Sequence, residues 1–142
     1  SDNFWQSGSM LGAVDAETGK VSHAMTGAGL DRQVLEQHPV SGKSFAGFQV
    51  PHWDKIKELA CQGHNLFPEF GVFGWDIAVG EDGPVIIECN ANPFHTLYQL
   101  AHDRGINNDD FAPVFDRVEA RTQGILKTRT EQFKKLRKEQ QI

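Results

Sequence analysis

The sequence predicts an α+β fold, an antiparallel sheet with helices, and three observations carry that prediction. Stretches of strand character come in pairs joined by short polar turns that contain glycine. Helical stretches fall between or after those pairs. Nowhere do strands and helices alternate in the βαβαβ order that builds a parallel sheet. The chain has 142 residues, a net charge of −5 and 39% hydrophobic residues, which suits one globular domain over residues 1–142. There is no internal repeat and no low-complexity tract.

The elements follow in order. Ser9 to Val14 and Val21 to Ala24 read as two strands joined by the polar turn Asp15-Ala16-Glu17-Thr18-Gly19-Lys20. Gly27 to Gly47 is rich in glycine and has neither a helical nor a strand period, so it reads as loop with short extended pieces. Loops of that length are often functional. Pro51, suited to a first helical turn, opens a helix to about residue 65 with Trp53, Ile56, Leu59, Ala60 and Leu66 on one face. The clearest hairpin is Val72 to Val79, the turn Gly80-Glu81-Asp82-Gly83, then Pro84 to Asn90. Thr96 to Arg104 makes a short helix stopped by Gly105. Residues 113–142 read as a long C-terminal helix, amphipathic from Pro113 to Lys138 through Val114, Phe115, Val118, Ile125, Leu126, Phe133 and Leu136.

Charge and composition exclude several classes. Residues 127–142 hold six basic and two acidic side chains, so the rest of the chain is strongly acidic. An acidic body disfavours nucleic acid, whose binding is supplied by Lys and Arg on phosphates, and the basic end reads as the solvated face of a terminal helix. No run approaches the roughly 20 apolar residues of a membrane span. There is no basic-then-apolar leader, and Cys61 and Cys89 show neither zinc spacing nor disulfide density. Together these lead to an expected cytoplasmic location. The opening Ser1-Asp2-Asn3-Phe4 lacks an initiator Met, and we expect a piece of something longer.

The chemistry gathers on the second hairpin. Glu88 and Asn90 share one face of their strand because side chains alternate. A three-residue loop Glu81-Asp82-Gly83, with Gly83 left-handed, pairs Gly80 with Pro84 and so sets Asp76 directly opposite Glu88. A two-residue loop would set Asp76 opposite Ile87 instead. Two facing carboxylates repel, and with the Asn90 amide oxygen they form a hard-oxygen site suited to Mg²⁺ that keeps water or phosphate as its other ligands. The bland reading is an acidic strand pair with its charges in water; on either reading Ile77, Val85 and Ile87 are expected to form the core side.

The run GWDIAVGEDGPVIIECNANP resembles the metal-binding end of the ATP-grasp superfamily, in which an Asp on one strand and E-x-N on the next hold the Mg²⁺ ions of Mg-ATP. The closer resemblance is to the sugar-transfer-associated ATP-grasp family, related to α-L-glutamate ligase-like proteins. It rests also on Asn3 and the Gly8 region, on Val14-Asp15 through Thr18-Gly19, on His38-Pro39-Val40-Ser41-Gly42 with Gly47, and on Val50-Pro51-His52-Trp53. These blocks span most of residues 1–105. The resemblance implies Asp76 as ligand of one Mg²⁺, Glu88 as the bridge between two, and Asn90 as the second ion's amide ligand. It implies ATP and a small carboxylate as ligands, the carboxylate being activated as an acylphosphate for attack by an amine or other nucleophile, with a link to polysaccharide biosynthesis. It further implies that the chain corresponds to the C-terminal subdomain of the fold, that an N-terminal subdomain would precede residue 1, and that the isolated chain is inactive. Many such ligases carry an Arg two residues before the metal Asp, where this chain has Gly74. That departure keeps a non-catalytic nucleotide- or partner-binding module open as the alternative.

Other motifs weigh less. Gly42-Lys43-Ser44 imitates the end of a P-loop, but Gln37 stands where its first glycine belongs. Lys43 nevertheless remains the candidate catalytic cation that approaches a phosphate or substrate carboxylate from the long loop. His38, His52 and His95 are general-base candidates near the site in sequence, each weighed against a loop histidine bonded to backbone. Cys61-x-x-His64 is a lone pair that reads as helix end, Cys89 is expected to face the core, and Trp5, Trp53 and Trp75 are expected in the core.

Overall fold

A computed structural model describes residues 8–27 and 29–140; Asn3 and Trp5 lie outside them. Strands β1 (Met10–Val14), β2 (Val21–Thr26) and β3 (Gln33–Leu35) form a three-stranded antiparallel sheet in that order. Helix α1 (Trp53–Asn65) leads to a second antiparallel sheet of two strands, β4 (Gly74–Gly80) and β5 (Gly83–Asn90). Helices α2 (Thr96–His102) and α3 (Ala112–Glu139) complete the described chain. The class is α+β, as its sequence pattern requires.

The first sheet is built around its turn. Asp15 Oδ1 accepts from Thr18 N at 2.7 Å and Thr18 Oγ1 at 2.5 Å, which closes the loop side chain to backbone and holds the Asp15 carboxyl below its usual pKa. Gly19 follows with φ 71°, and a Cβ built there would lie 2.3 Å from Trp53 Cγ, so only glycine meets both demands. The Trp53 indole Nε1 donates to Ala16 O at 3.0 Å and Lys57 Nζ to Glu17 O at 3.1 Å, which ties the head of α1 to this turn. Helix α2 covers β1 and β2, and between them lies a core of mainly small side chains: Ala13, Val21, Ala24, Met25 and Ala101 are all buried. Small residues let helix and sheet approach closely.

A second apolar centre lies under α1. Phe73 makes ring contacts with His64, Phe67, Phe70 and Trp75 at centroid distances of 5.0–5.6 Å. Gly63 lets α1 descend onto Trp75, since a Cβ there would come within 2.9 Å of the indole. Helix α3 is fastened by Val118 against Gly71, by Arg121 donating to Pro68 O and by Arg129 paired with Glu69 at 2.5 Å.

Several expectations are corrected. Helix α1 starts at Trp53, because His52 sits at its N-cap with φ 57° and Pro51 belongs to the preceding turn. Leu66 lies past the helix end and is 75% exposed. Helix α2 ends at His102 with Asp103 left-handed, short of Gly105. The long helix stops at Glu139 with Leu126, Phe133 and Leu136 exposed, while β3 is one of the short extended pieces expected in the glycine-rich loop. Val85 and Ile87 are 60% and 67% exposed, so the expected core side of the hairpin is not closed; α1 covers the Trp75 end only. Cys89 is exposed too.

Candidate functional site

The β4–β5 hairpin does not have the expected three-residue loop. Gly80 pairs with Gly83, leaving Glu81 and Asp82 as a two-residue connection, and the ladder continues through Val79–Pro84, Ala78–Val85 and Ile77–Ile86. In that register Asp76 would face Ile87. A bulge between Asp76 and Ile77 adds one residue to the β5 side, and the ladder resumes with Asp76 opposite Glu88, Trp75 opposite Cys89 and Gly74 opposite Asn90. The turn and the bulge offset each other at the site. Asp76 and Glu88 thus share a face as cross-strand partners, and Asn90, two residues on, shares it as well.

The other face at this end carries Trp75, which α1 covers through Gly63. The carboxylate face is therefore turned away from the helix. Asp76 and Glu88 are exposed, Asn90 is half-buried, and among the described residues neither carboxylate has a hydrogen-bond or ion-pair partner. Two carboxylates and one amide oxygen are hard donors, and their chemistry fits a divalent cation that retains outside ligands. Among the described residues no group of three His, Cys, Asp or Glu side chains is placed to hold a metal ion, so such an ion would need ligands from outside these side chains. Gly74 is packed tight: a Cβ there would lie 2.8 Å from Pro93 Cβ, which leaves no room for an arginine at that position as the chain stands.

Lys43 is held by backbone bonds of its own loop. Its carbonyl accepts from His38 N at 2.8 Å and its N–H donates to Ser41 Oγ at 3.4 Å, inside a small loop closed by the Gln37–Ser44 bridge. No hydrogen bond or ion pair links it to Asp76, Glu88 or Asn90 among the described residues. His38 Nδ1 accepts from Val40 N and Ser41 N at 3.3 and 3.2 Å, the backbone-bonded loop histidine weighed against a general base. His52 is the left-handed N-cap of α1, and His95 sits at the α2 N-cap with its ring edge on Phe115. His64 bonds Phe70 O at 3.0 Å while Cys61 is exposed, the helix-end arrangement expected of that pair.

Sequence spacing gave no hint of a second group. Tyr98, His102 and Asp110 converge with the Asp15–Glu17 turn and Trp53 on one cavity. They come from four separate places in the chain, the turn after β1, the head of α1, α2 and the approach to α3, and only the fold brings them together.

A family model described as sugar-transfer associated ATP-grasp matches residues 1–112. The chain belongs to the sugar-transfer associated ATP-grasp family. No curated protein and no solved structure matches it. The ATP-grasp match ends where α3 begins, so it takes in both sheets, α1, α2 and the whole Asp76–Glu88–Asn90 group. No described helix of this ATP-grasp chain is long and apolar enough to cross a membrane.

Proposed function

We propose that residues 1–142 act as an ATP-grasp C-terminal subdomain that binds Mg-ATP on the face of Asp76, Glu88 and Asn90, within a ligase that activates a carboxylate for attack by an amine or other nucleophile. The observation that carries this reading is the pairing of Asp76 with Glu88, restored by a bulge that serves no evident packing purpose, since it leaves Ile87 exposed. Asp76 would hold one Mg²⁺, Glu88 would bridge two and Asn90 would complete the second. Bound Mg²⁺ supplies neutralisation of phosphate charge and alignment of the transferring group. The chain's own part would be positional: the pairing of β4 with β5 sets the two carboxylates on one face, and Asn90 lies two residues on along that face. Lys43 serves as a second-rank candidate, a loop cation for a phosphate or substrate carboxylate. A cytoplasmic setting goes with ATP as co-substrate, and a role near polysaccharide assembly goes with the family description.

Gly74 favours a second reading, a nucleotide- or partner-binding module without turnover, because the cation that many ATP-grasp ligases place there has no space beside Pro93. Calorimetry with a non-hydrolysable ATP analogue, with and without Mg²⁺, tests the binding reading: Mg²⁺-dependent heat lost in Asp76→Ala and Glu88→Ala supports it, and unchanged heat in those variants overturns it. In the intact protein, carboxylate-dependent release of phosphate separates ligase from module.

A further inference from the structure

A cavity of about 790 Å³ lies apart from the hairpin face, between the turn after β1 and the segment following α2. Its walls hold Asp15 and Glu17 from the turn, Trp53 from the head of α1, Tyr98 and His102 from α2, and Asp110 from the approach to α3. Two sequence blocks that the metal reading leaves idle, Asp15–Gly19 and Pro51–Trp53, meet on one wall, locked by Gly19 under Trp53 and by the indole bond to Ala16 O.

The lining has a definite chemical sign. Tyr98, stacked on His102 at 4.6 Å and in T-shaped contact with Phe111, lines the cavity together with the Trp53 indole, so part of its wall is aromatic carbon. The one guanidinium present, Arg104, is already committed to Asp110. Burial, with His23 and Arg104 nearby, holds the His102 pKa below its ordinary value, so the imidazole is neutral at pH 7 and offsets no carboxylate. Asp15 and Glu17 make no ion pair among the described residues, and the Lys57 ammonium bonded to the Glu17 carbonyl oxygen is itself paired with Asp54. An anion meets repulsion here and a neutral ligand gains nothing from the carboxylates. A positive group on an apolar body gains from both the carboxylates and the aromatic wall.

We propose that this cleft binds a small organic cation, an ammonium or guanidinium group on an apolar or aromatic body, with Asp15 and Glu17 taking the charge and Trp53 and Tyr98 the body. The site is separate from the Mg-ATP reading, and its test uses neither metal nor nucleotide. The chain is titrated with phenethylammonium, 2-phenylethanol and 3-phenylpropanoate while amide and indole N–H signals are followed by NMR. Saturable shifts confined to Asp15–Glu17, the Trp53 indole and Tyr98–His102 are expected with phenethylammonium, with the alcohol about ten-fold weaker. Glu17→Gln, at an exposed turn position, is expected to weaken the ammonium about five-fold. No saturable shift, equal affinity for the alcohol, or preference for the carboxylate each overturns the proposal, whatever the variant does; an unchanged affinity in a folded Glu17→Gln protein removes Glu17 from it.

Discussion

Replacing Asp76 by Asn removes one of the two like charges that the β4–β5 ladder sets opposite each other. Cross-strand partners hold their Cβ atoms about 5 Å apart, and two unit charges at that separation repel by about 0.8 kcal/mol in water. Both side chains are exposed, and salt at about 0.15 M roughly halves the repulsion, to about 0.4 kcal/mol. Asp76→Asn is therefore expected to raise Tm by about 1 °C in metal-free buffer. With Mg²⁺ at about ten times its Kd, the wild type gains about 1.4 kcal/mol, worth about 4 °C in a chain of this size, and the variant gains little. The order of the two melting temperatures reverses between EDTA and Mg²⁺. Scanning calorimetry in the two buffers reads this directly. A variant that melts below the wild type in EDTA, or that shifts with Mg²⁺ as the wild type does, refutes the reasoning.

Other consequences rest on single contacts. Gly19→Ala combines a left-handed backbone with a Cβ 2.3 Å from Trp53, and a loss of about 2–4 kcal/mol in urea unfolding is expected; a loss below about 0.5 kcal/mol would mean that α1 is not seated on this turn. Thr18→Val removes a side-chain donor to Asp15 and should raise the Asp15 pKa toward 3.8. Because the folded-state pKa is depressed, the wild type's advantage is present above the unfolded value and disappears as pH falls through the folded one, so the two proteins should converge in acid; carbonyl NMR and pH-dependent unfolding check both. His102 should titrate below 6.5, held down by burial first and then by His23 and Arg104, and His23→Gln should move it upward in a ring-proton titration. Its stability contribution is intact above the unfolded pKa and is lost as pH falls from there toward the folded one.

The parts of the fold legible in the sequence are those with a local cause. The Asp15–Lys20 turn, the apolar face of α1 and the long α3 follow from side chains that act on their own neighbourhood. Strand β3 is one of the short extended pieces expected in the glycine-rich stretch; its exact place was not legible, because three residues carry no period and their pairing with β2 is a tertiary matter. The start of α1 was misplaced because nothing local forces His52 into the left-handed region. Asp76 pairs with Glu88 although the chain does not form the three-residue loop that alternation requires for it; a bulge at Ile87, invisible to alternation rules, restores the pairing. The exposure of Val85 and Ile87 could not be read from their type, since it depends on how far α1 reaches along the sheet. The cavity around Trp53 and Tyr98 was hidden for the same reason, as its walls are assembled by tertiary contacts alone.

Paramagnetic broadening by Mn²⁺, followed on the backbone amides, tests the central claim most directly. The account predicts that substoichiometric Mn²⁺ erases the signals around Asp76, Glu88 and Asn90 first, and that Mg²⁺ in excess restores them. Loss of signal that begins elsewhere in the chain, or a hairpin that stays sharp at millimolar Mn²⁺, would contradict it.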